Sequence, residues 1–431
     1  MQKTKMTVMQ LTLLTALNML GSGIIMLPAK IAELGGIALL SWSVVCVAAI
    51  GMAYAFAYCG MYSRGVGGLG SIAQNAFGRF GSFITNSSYA LSLLVANVAI
   101  ATSGVGYFLQ IFEIQTSPFI TQGVTIVMLW TATVANFPGA KFTGRLGAVT
   151  IWGIFIPIVC LLAVGPFYFE ASIFEANWNP NRLSGFGSIQ SAVPMMFWSF
   201  LGLESALANA DSVENPEKSV PKAVLLATIG VAAVFVGTSV LISGVLPNDV
   251  FIESEAPFVV IFNYLLGGTV SKVFAFLLFL ALWGSLLGWQ FTMARVFKVS
   301  ADLGFFPSIF RMGTYFGVPV VGILLLAFLQ TLLVPALPTI GVFKRFDVLV
   351  DLSAVTNVFP YLTCMAAVFA LAKTAQADPV QSFLAQGAAL VGIVFLLCYF
   401  FFIDSVVMKF TLVMILAAFV LYGVFVARGD D

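Results

Sequence analysis

The residue that stands out for its chemistry is Glu204, the one acid that the sequence places deep within an apolar run. A carboxylate at the centre of a bilayer costs at least ~2.5 kcal/mol on insertion scales, so it requires a partner. The chain contains no histidine, which makes Glu204 the main candidate for carrying any proton. Two interpretations stay open: a structural carboxylate bound by backbone amides, and a site for a cation or a proton. The apolar surroundings favour the second.

Two glycine-containing segments are expected to interrupt helices in mid-membrane. The first is Gly21-Ser22-Gly23, and the second contains Gly202, two residues before Glu204. Adjacent glycines free backbone amides, which can bind a carboxylate at the start of a half-helix. The alternative is close helix packing through small residues. Interrupted segments at corresponding positions of two halves point to a transporter site.

Two tryptophans, Trp198 and Trp289, fall in the middle of apolar runs, away from the membrane interfaces where tryptophan is enriched. An indole face attracts a desolvated cation by about 2 kcal/mol or more, although ordinary packing explains the positions equally well. Ser285 shares a helical face with Trp289, four residues on. Trp198 and Glu204 would lie about 120° apart on one continuous helix, so a break at Gly202 is needed for both to face one cavity.

Small polar residues form stripes on two further apolar segments. The first stripe contains Tyr89, Ser92 and Asn97, and the second contains Ser353, Thr356 and Asn357 ahead of Pro360. Such residues either join packed helices by hydrogen bonds or line a polar cavity. The spacing leaves both interpretations open.

The elements that must position these residues are membrane-spanning helices. Of the 431 residues 60% are hydrophobic and 9% are charged, far fewer charges than a soluble domain carries. Apolar runs of crossing length recur along the whole chain without the alternation of barrel strands. They predict about twelve spans in a single polytopic domain, 1–431, and the first run is expected to be span one, not a cleaved signal peptide. The predicted spans are 7–29, 36–59, 82–112, 121–139, 146–169, 188–210, 221–246, 270–300, 319–338, 346–371, 385–403 and 406–426.

The composition argues against several other classes of protein. The five cysteines form no CxxC pair and no His-rich tract exists, so neither a disulfide framework nor a metal site is expected, and no cofactor is implied. No basic stripe suits a nucleic acid. A membrane-embedded enzyme would need a paired acid and base or a metal cluster, which a lone Glu204 does not supply.

The distribution of charge predicts the orientation of the chain. With the N-terminus in the cytoplasm, 13 of the 19 Lys and Arg residues fall on the cytoplasmic side. An even number of spans then puts both termini inside. Because five spans separate the two expected breaks, the chain suits an inverted repeat of five plus five helices, 1–170 and 171–371, followed by two additional C-terminal helices in 385–426.

Five segments carry a resemblance to a known family that covers nearly the whole chain. They are NMLGSGIIMLPAKIAELGG (18–36), YALSLLVANVAIA (89–101), FWSFLGLESALANADSVENPEKSVPKAV (197–224), GSLLGWQFTMARVFK (284–298) and VTNVFPY (355–361). In this order they resemble the amino acid–polyamine–organocation superfamily, and within it the bacterial basic amino acid/polyamine antiporters.

The resemblance implies a fold and a set of site residues. The fold is the LeuT-type five-plus-five inverted repeat with broken helices 1 and 6. The segment Gly21, Ser22, Gly23 and Ile24 would bind the substrate carboxylate. The cationic end of the substrate and the gate would involve Trp198, Glu204 and Tyr89, with Asn97, Ser285 and Trp289 lining the cavity. Cys59 and Tyr422 also match the family. The chain departs from it at Ile72, Gln74 and Asn75, where the antiporters have an acid between two tyrosines, and at Phe419, where they have a tryptophan.

The function implied is secondary transport in the bacterial inner membrane. Small cationic amino acids and polyamines would be exchanged by alternating access, as in ornithine/putrescine antiport. A proton-coupled amino acid symporter of the same superfamily is the alternative, and a sensor that binds amino acids without moving them is a third candidate. The expected partners are a small amine or amino acid and the lipid bilayer, and not a nucleic acid. The sequence leaves a homodimer open.

Overall fold

Sixteen α-helices account for most of the described part of the chain. The computed structural model describes residues 7–62, 68–115, 117–205, 215–252, 254–336, 342–374 and 378–403, and beyond them 405, 407–409, 411–413 and 416. The helices are α1 Val8–Met19, α2 Ser22–Leu34, α3 Leu39–Tyr62, α4 Leu69–Phe112, α5 Pro118–Ala135, α6 Ala140–Thr150, α7 Trp152–Val164, α8 Ala171–Asn177, α9 Gly185–Ser199, α10 Pro216–Val245, α11 Asp249–Ile252, α12 Pro257–Leu266, α13 Gly268–Asp302, α14 Val320–Ala336, α15 Val342–Thr374 and α16 Pro379–Tyr399.

Eight of the described helical stretches are long and apolar enough to cross a membrane, and the bent pair α1 and α2 makes a ninth. The helical membrane fold predicted from the sequence is therefore confirmed. Helices α9 and α14, with 15 and 17 residues, coincide with predicted spans but are shorter. The predicted span 406–426 lies mostly outside the described residues. The count of twelve spans and the division into repeats 1–170 and 171–371 stay predictions.

The first predicted break is present between α1 and α2. The two helices are bent by 49° relative to each other, and Leu20 and Gly21 between them are not helical. The second predicted break follows α9. The helix ends at Ser199, and the chain turns through Gly202 with a φ of +111° into a single 3-10 turn at 203–205. The regular helical hydrogen bonding is therefore interrupted within both predicted spans.

The long helices α4 and α15 pack along each other, and α13 packs against α4 on another side. Helix α2, which follows the first break, contacts α9, which precedes the second break. Helices α3, α10 and α16 pack together around these elements. Of these helices, α4 and α15 carry the two polar stripes of the sequence.

Several short elements were not predicted because a search for apolar runs of crossing length passes over them. They include α8, α11 and α12, and a two-stranded antiparallel hairpin in which Thr314 pairs with Pro319 and Tyr315 with Val318. Helix α4 begins earlier than predicted, at Leu69 instead of residue 82. Its first part is separated by a kink at Gly78, where φ is +69°.

Candidate functional site

A cavity lies where the two helix breaks meet. Eight of the ten residues proposed from the sequence line the cavity: Gly21, Ser22, Gly23, Tyr89, Trp198, Glu204, Ser285 and Trp289. The structure therefore brings these eight residues together from four separate segments of the chain.

The break in the first span presents the start of a helix to the cavity. Helix α2 begins at Ser22, and its N-cap Gly21 makes no side-chain hydrogen bond to the first turn. The first amides of a helix have no partner within it and carry partial positive charge, so they suit an anion such as a carboxylate. Gly23 is required by close packing, since a Cβ there would lie 2.8 Å from the Cα of Ser199 on α9.

Glu204 is buried, with 7% of its surface exposed, and three neutral donors hold its carboxylate. The Tyr89 hydroxyl on α4 donates to Oε1 at 2.9 Å, and the Gly202 amide donates to Oε2 at 2.9 Å. The Tyr361 hydroxyl on α15 also donates to Oε2. A carboxylate offers about four acceptor positions, so the three bonds leave room for one more donor. One of the three donors is a backbone amide, as expected if Glu204 is a structural carboxylate, and the other two are tyrosine hydroxyls.

The two helix breaks also contact each other directly. The side-chain amide of Asn18, near the end of α1, donates to the Ser205 hydroxyl at 3.0 Å. A Cβ at Gly202 would lie 2.5 Å from the carbonyl oxygen of Asn18. Glycine is therefore required at position 202 both for its positive φ and for this close approach.

The two proposed tryptophans line the same cavity from two different helices. The Trp198 indole N–H on α9 donates to the Ser22 hydroxyl at 3.4 Å, and the ring is buried. Trp289 on α13 is half-buried, as is Ser285 one turn before it. A Cβ at Gly21 would lie 3.7 Å from the Ser285 hydroxyl oxygen, so α13 packs against the first break. The break after α9 lets Trp198 and Glu204 line one cavity despite their spacing.

Two of the ten proposed residues do not line the cavity. Ile24 is fully buried in the packed core. The side chain of Asn97 is also fully buried, and its amide points to Gln290 at 3.4 Å and to the Met293 sulfur at 3.7 Å. The stripe on α4 predicted a shared face, but position 97 is turned from the cavity toward α13. Ala96 and Ile100 line the cavity wall there.

Sequence reasoning missed the role of Tyr361 beside Glu204. The signal was present, because Ser353, Asn357 and Tyr361 recur every four residues on one face of α15. The stripe was followed only as far as Pro360, which lies within the helix and does not end it. Asn357 and Asn18 also line the cavity.

Lys30 shows how the chain neutralises another buried charge. Its ammonium on α2 lies 2.8 Å from the Asp347 carboxylate on α15 and 3.3 Å from that of Glu33. Glu204 has no such partner among the described residues that line its cavity, none of which is Lys or Arg. Within the described lining of the cavity, Glu204 therefore has no residue of opposite charge beside it.

The fold and the cavity define a multi-pass helical membrane protein with a cavity at two helix breaks. Residues 6–427 match the family model described as amino acid permease, and the chain belongs to this family.

Three relatives extend the match over most of the chain. The putrescine transporter PotE of Haemophilus influenzae is 47% identical over 378 residues, which cover 88% of this chain and 87% of that protein. The protein of the same name from Escherichia coli K12 is 46% identical over 393 residues, covering 91% and 89%. The cadaverine/lysine antiporter of Escherichia coli K12 is 30% identical over 316 residues, covering 73% and 71%. The resemblance to amino acid and polyamine transporters that the sequence motifs suggested is confirmed.

Proposed function

We propose that this chain is a secondary transporter that exchanges small cationic amino acids and polyamines across the bacterial inner membrane by alternating access. Exchange of the ornithine/putrescine type is the leading case, and no enzymatic activity is part of the proposal. The observation that carries the proposal is the buried carboxylate of Glu204, which faces a cavity without a basic side chain among its described lining residues. A primary ammonium would supply the missing charge and use the remaining acceptor position.

The relatives support the same class of substrate. Two of them are named putrescine transporters and one a cadaverine/lysine antiporter, so each name includes a compound with at least one amino group. Their matches cover between 73% and 91% of this chain. A proton-coupled symporter of the same family is the competing function, since Glu204 and its two tyrosine hydroxyls could also carry a proton.

The proposed roles follow the chemistry of each wall. The amides that open α2, from Ser22 through Ile24, would bind the carboxylate of an amino acid substrate. The indole faces of Trp198 and Trp289 would contact the alkylammonium part. Glu204 would neutralise the cation. The Tyr89 hydroxyl, which bonds to Glu204, would link the binding of a cation there to the movement of the gate.

The tryptophans provide a test of cation recognition. Trp198→Leu and Trp289→Leu are expected to weaken putrescine binding by about 2 kcal/mol, roughly 30-fold in affinity. Phenylalanine at either position should lose less because it keeps an aromatic face. Trp283→Leu is the matched control, since Trp283 lies on the same helix but bonds to Thr131 instead of lining the cavity. Equal losses for leucine and phenylalanine would mean that the rings serve packing alone.

The proposal includes an orientation in the membrane. The excess of Lys and Arg in one set of loops supports cytoplasmic termini. The two helix breaks, five predicted spans apart, support inverted repeats at 1–170 and 171–371 followed by two further helices. A reporter that is active only in the periplasm, fused after Asp431, should stay silent. Strong reporter activity there would overturn the orientation.

Competition in proteoliposomes tests the substrate class. Vesicles loaded with ornithine should take up labelled putrescine, and external lysine, ornithine or cadaverine should inhibit this uptake. Leucine has a similar size and no net charge, so it should inhibit much less. Inhibition by leucine as strong as that by lysine would overturn the assignment to cationic substrates.

A further inference from the structure

Two polar layers lie one helical turn apart between α4 and α15, beside the cavity. The first layer holds Glu204 between the hydroxyls of Tyr89 on α4 and Tyr361 on α15. The second is formed by Ser92, three residues further along α4, and Asn357, four residues back along α15. Side chains one turn apart on a helix are about 5–6 Å apart at their Cβ atoms. The first layer carries a charge, and the second is neutral.

The hydrogen bonds of the second layer fix the orientation of the Asn357 side-chain amide. The Ser92 hydroxyl donates to the backbone carbonyl of Ser353 at 2.9 Å, and the Ser353 hydroxyl donates to that of Ser92 at 3.0 Å. The two hydroxyl oxygens also lie 2.9 Å apart, and with the single Ser92 proton directed at Ser353, the Ser92 oxygen accepts the next bond. It accepts from the Asn357 Nδ2 at 2.6 Å. The side-chain oxygen of Asn357, Oδ1, therefore lies at the end of the amide that points away from Ser92.

This oxygen lacks a hydrogen-bond partner among the described residues. Asn357 is 4% exposed and lines the cavity, and its Oδ1 is buried without a donor. Ser92 and Ser353 are not among the lining residues, so the end of the amide that is turned from them is the one left for the cavity. An unsatisfied buried acceptor costs about 1–3 kcal/mol, which a ligand N–H would offset.

We propose that Asn357 Oδ1 is a second ammonium-binding position, used when a substrate carries two primary amines. Glu204 neutralises one ammonium, and the Asn357 oxygen accepts a hydrogen bond from the other. The proposal rests on the proposed function and adds to it a reason for selecting diamines over monoamines of the same length. Because the second position is neutral, it contributes through a hydrogen bond and not through a full opposite charge.

Transport of putrescine and of n-butylamine by ornithine-loaded proteoliposomes tests the position. Wild type should prefer putrescine. Asn357→Leu has a similar shape and no acceptor, so the KM for putrescine should rise about tenfold or more, as expected for a lost hydrogen bond to a charged group. The KM for n-butylamine should stay near that of wild type, so the preference should collapse.

Asn357→Asp separates recognition from packing. Aspartate keeps an oxygen acceptor and loses the donor to Ser92, so the proposal expects the diamine preference to survive, whereas a packing role expects it to be lost. If the leucine variant does not reach the membrane, the comparison of Asn357→Asp with wild type is sufficient to test the proposal. Thr356→Val is the matched control, since the Thr356 hydroxyl donates to the backbone of its own helix and the residue does not line the cavity, so the preference should stay unchanged.

Three outcomes contradict the proposal. An unchanged preference in Asn357→Leu would overturn the second position and leave the proposed function standing. A loss in Asn357→Asp as large as that in Asn357→Leu would assign the residue to packing. Wild type that carries neither amine would overturn the proposed function and, with it, this inference.

Discussion

Glu204→Gln is expected to lower putrescine exchange by roughly 30-fold or more, because removing one member of a buried charge pair costs about 2–5 kcal/mol. The substitution keeps the shape of the side chain. The donors from Tyr89, Tyr361 and Gly202 keep an amide oxygen to bind, and a tyrosine hydroxyl can rotate to accept from the new amide. The substitution should therefore weaken binding of the cation and leave the fold intact.

Substrate charge and a matched variant separate these effects. Any residual binding of leucine should change little in Glu204→Gln, because leucine brings no net positive charge to position 204. Glu175→Gln makes the same chemical change on the exposed helix α8 and should leave exchange intact. Diamine exchange at the wild-type rate in the Glu204 variant would remove this carboxylate from substrate recognition.

Gly202→Ala is expected to lower exchange by about tenfold or more, because the strained backbone alone costs on the order of 1–3 kcal/mol. Position 202 has a φ of +111°, and the added Cβ would lie 2.5 Å from the Asn18 carbonyl oxygen. Relief of this clash must move the two helix breaks apart or turn the Gly202 amide from Glu204. Either change disturbs the cation site.

A glycine elsewhere near the cavity provides the control for this variant. Gly288 lies in the middle of α13 next to Trp289, and a Cβ there meets no atom within 4 Å. Gly288→Ala should therefore transport like wild type, and membrane levels of both variants should be compared by fluorescence of a fused reporter. Unimpaired exchange by Gly202→Ala would mean that the contact between the breaks is not needed for transport.

The sequence predicted eight of the sixteen residues that line the cavity, because the strongest signals are local. Glycines that break a helix, an acid in an apolar run and tryptophans in mid-span can each be identified without knowing their neighbours. They indicated Gly21, Glu204, Trp198 and Trp289, all of which line the cavity. The break at Gly202 also explains how residues 120° apart on an ideal helix come to share one wall.

The remaining features depend on how helices are rotated against one another. A stripe on α4 does not reveal where the cavity face ends, and so Asn97 was assigned to a cavity that it does not line. Tyr361 was missed because Pro360 suggested the end of a polar stripe, although the helix continues to Thr374. The free oxygen of Asn357 depends on hydrogen bonds between α4 and α15, which no spacing within one helix predicts.

Counterflow in the absence of a pH gradient tests the central proposal most directly. Purified wild-type protein is reconstituted into vesicles that contain ornithine, leucine or buffer alone, and labelled putrescine is added outside at equal internal and external pH. The exchange mechanism predicts rapid uptake into vesicles loaded with ornithine and little uptake into the other two. Uptake into empty vesicles that appears only when a pH gradient is imposed, without stimulation by internal ornithine, would contradict exchange and identify the chain as a proton-coupled symporter.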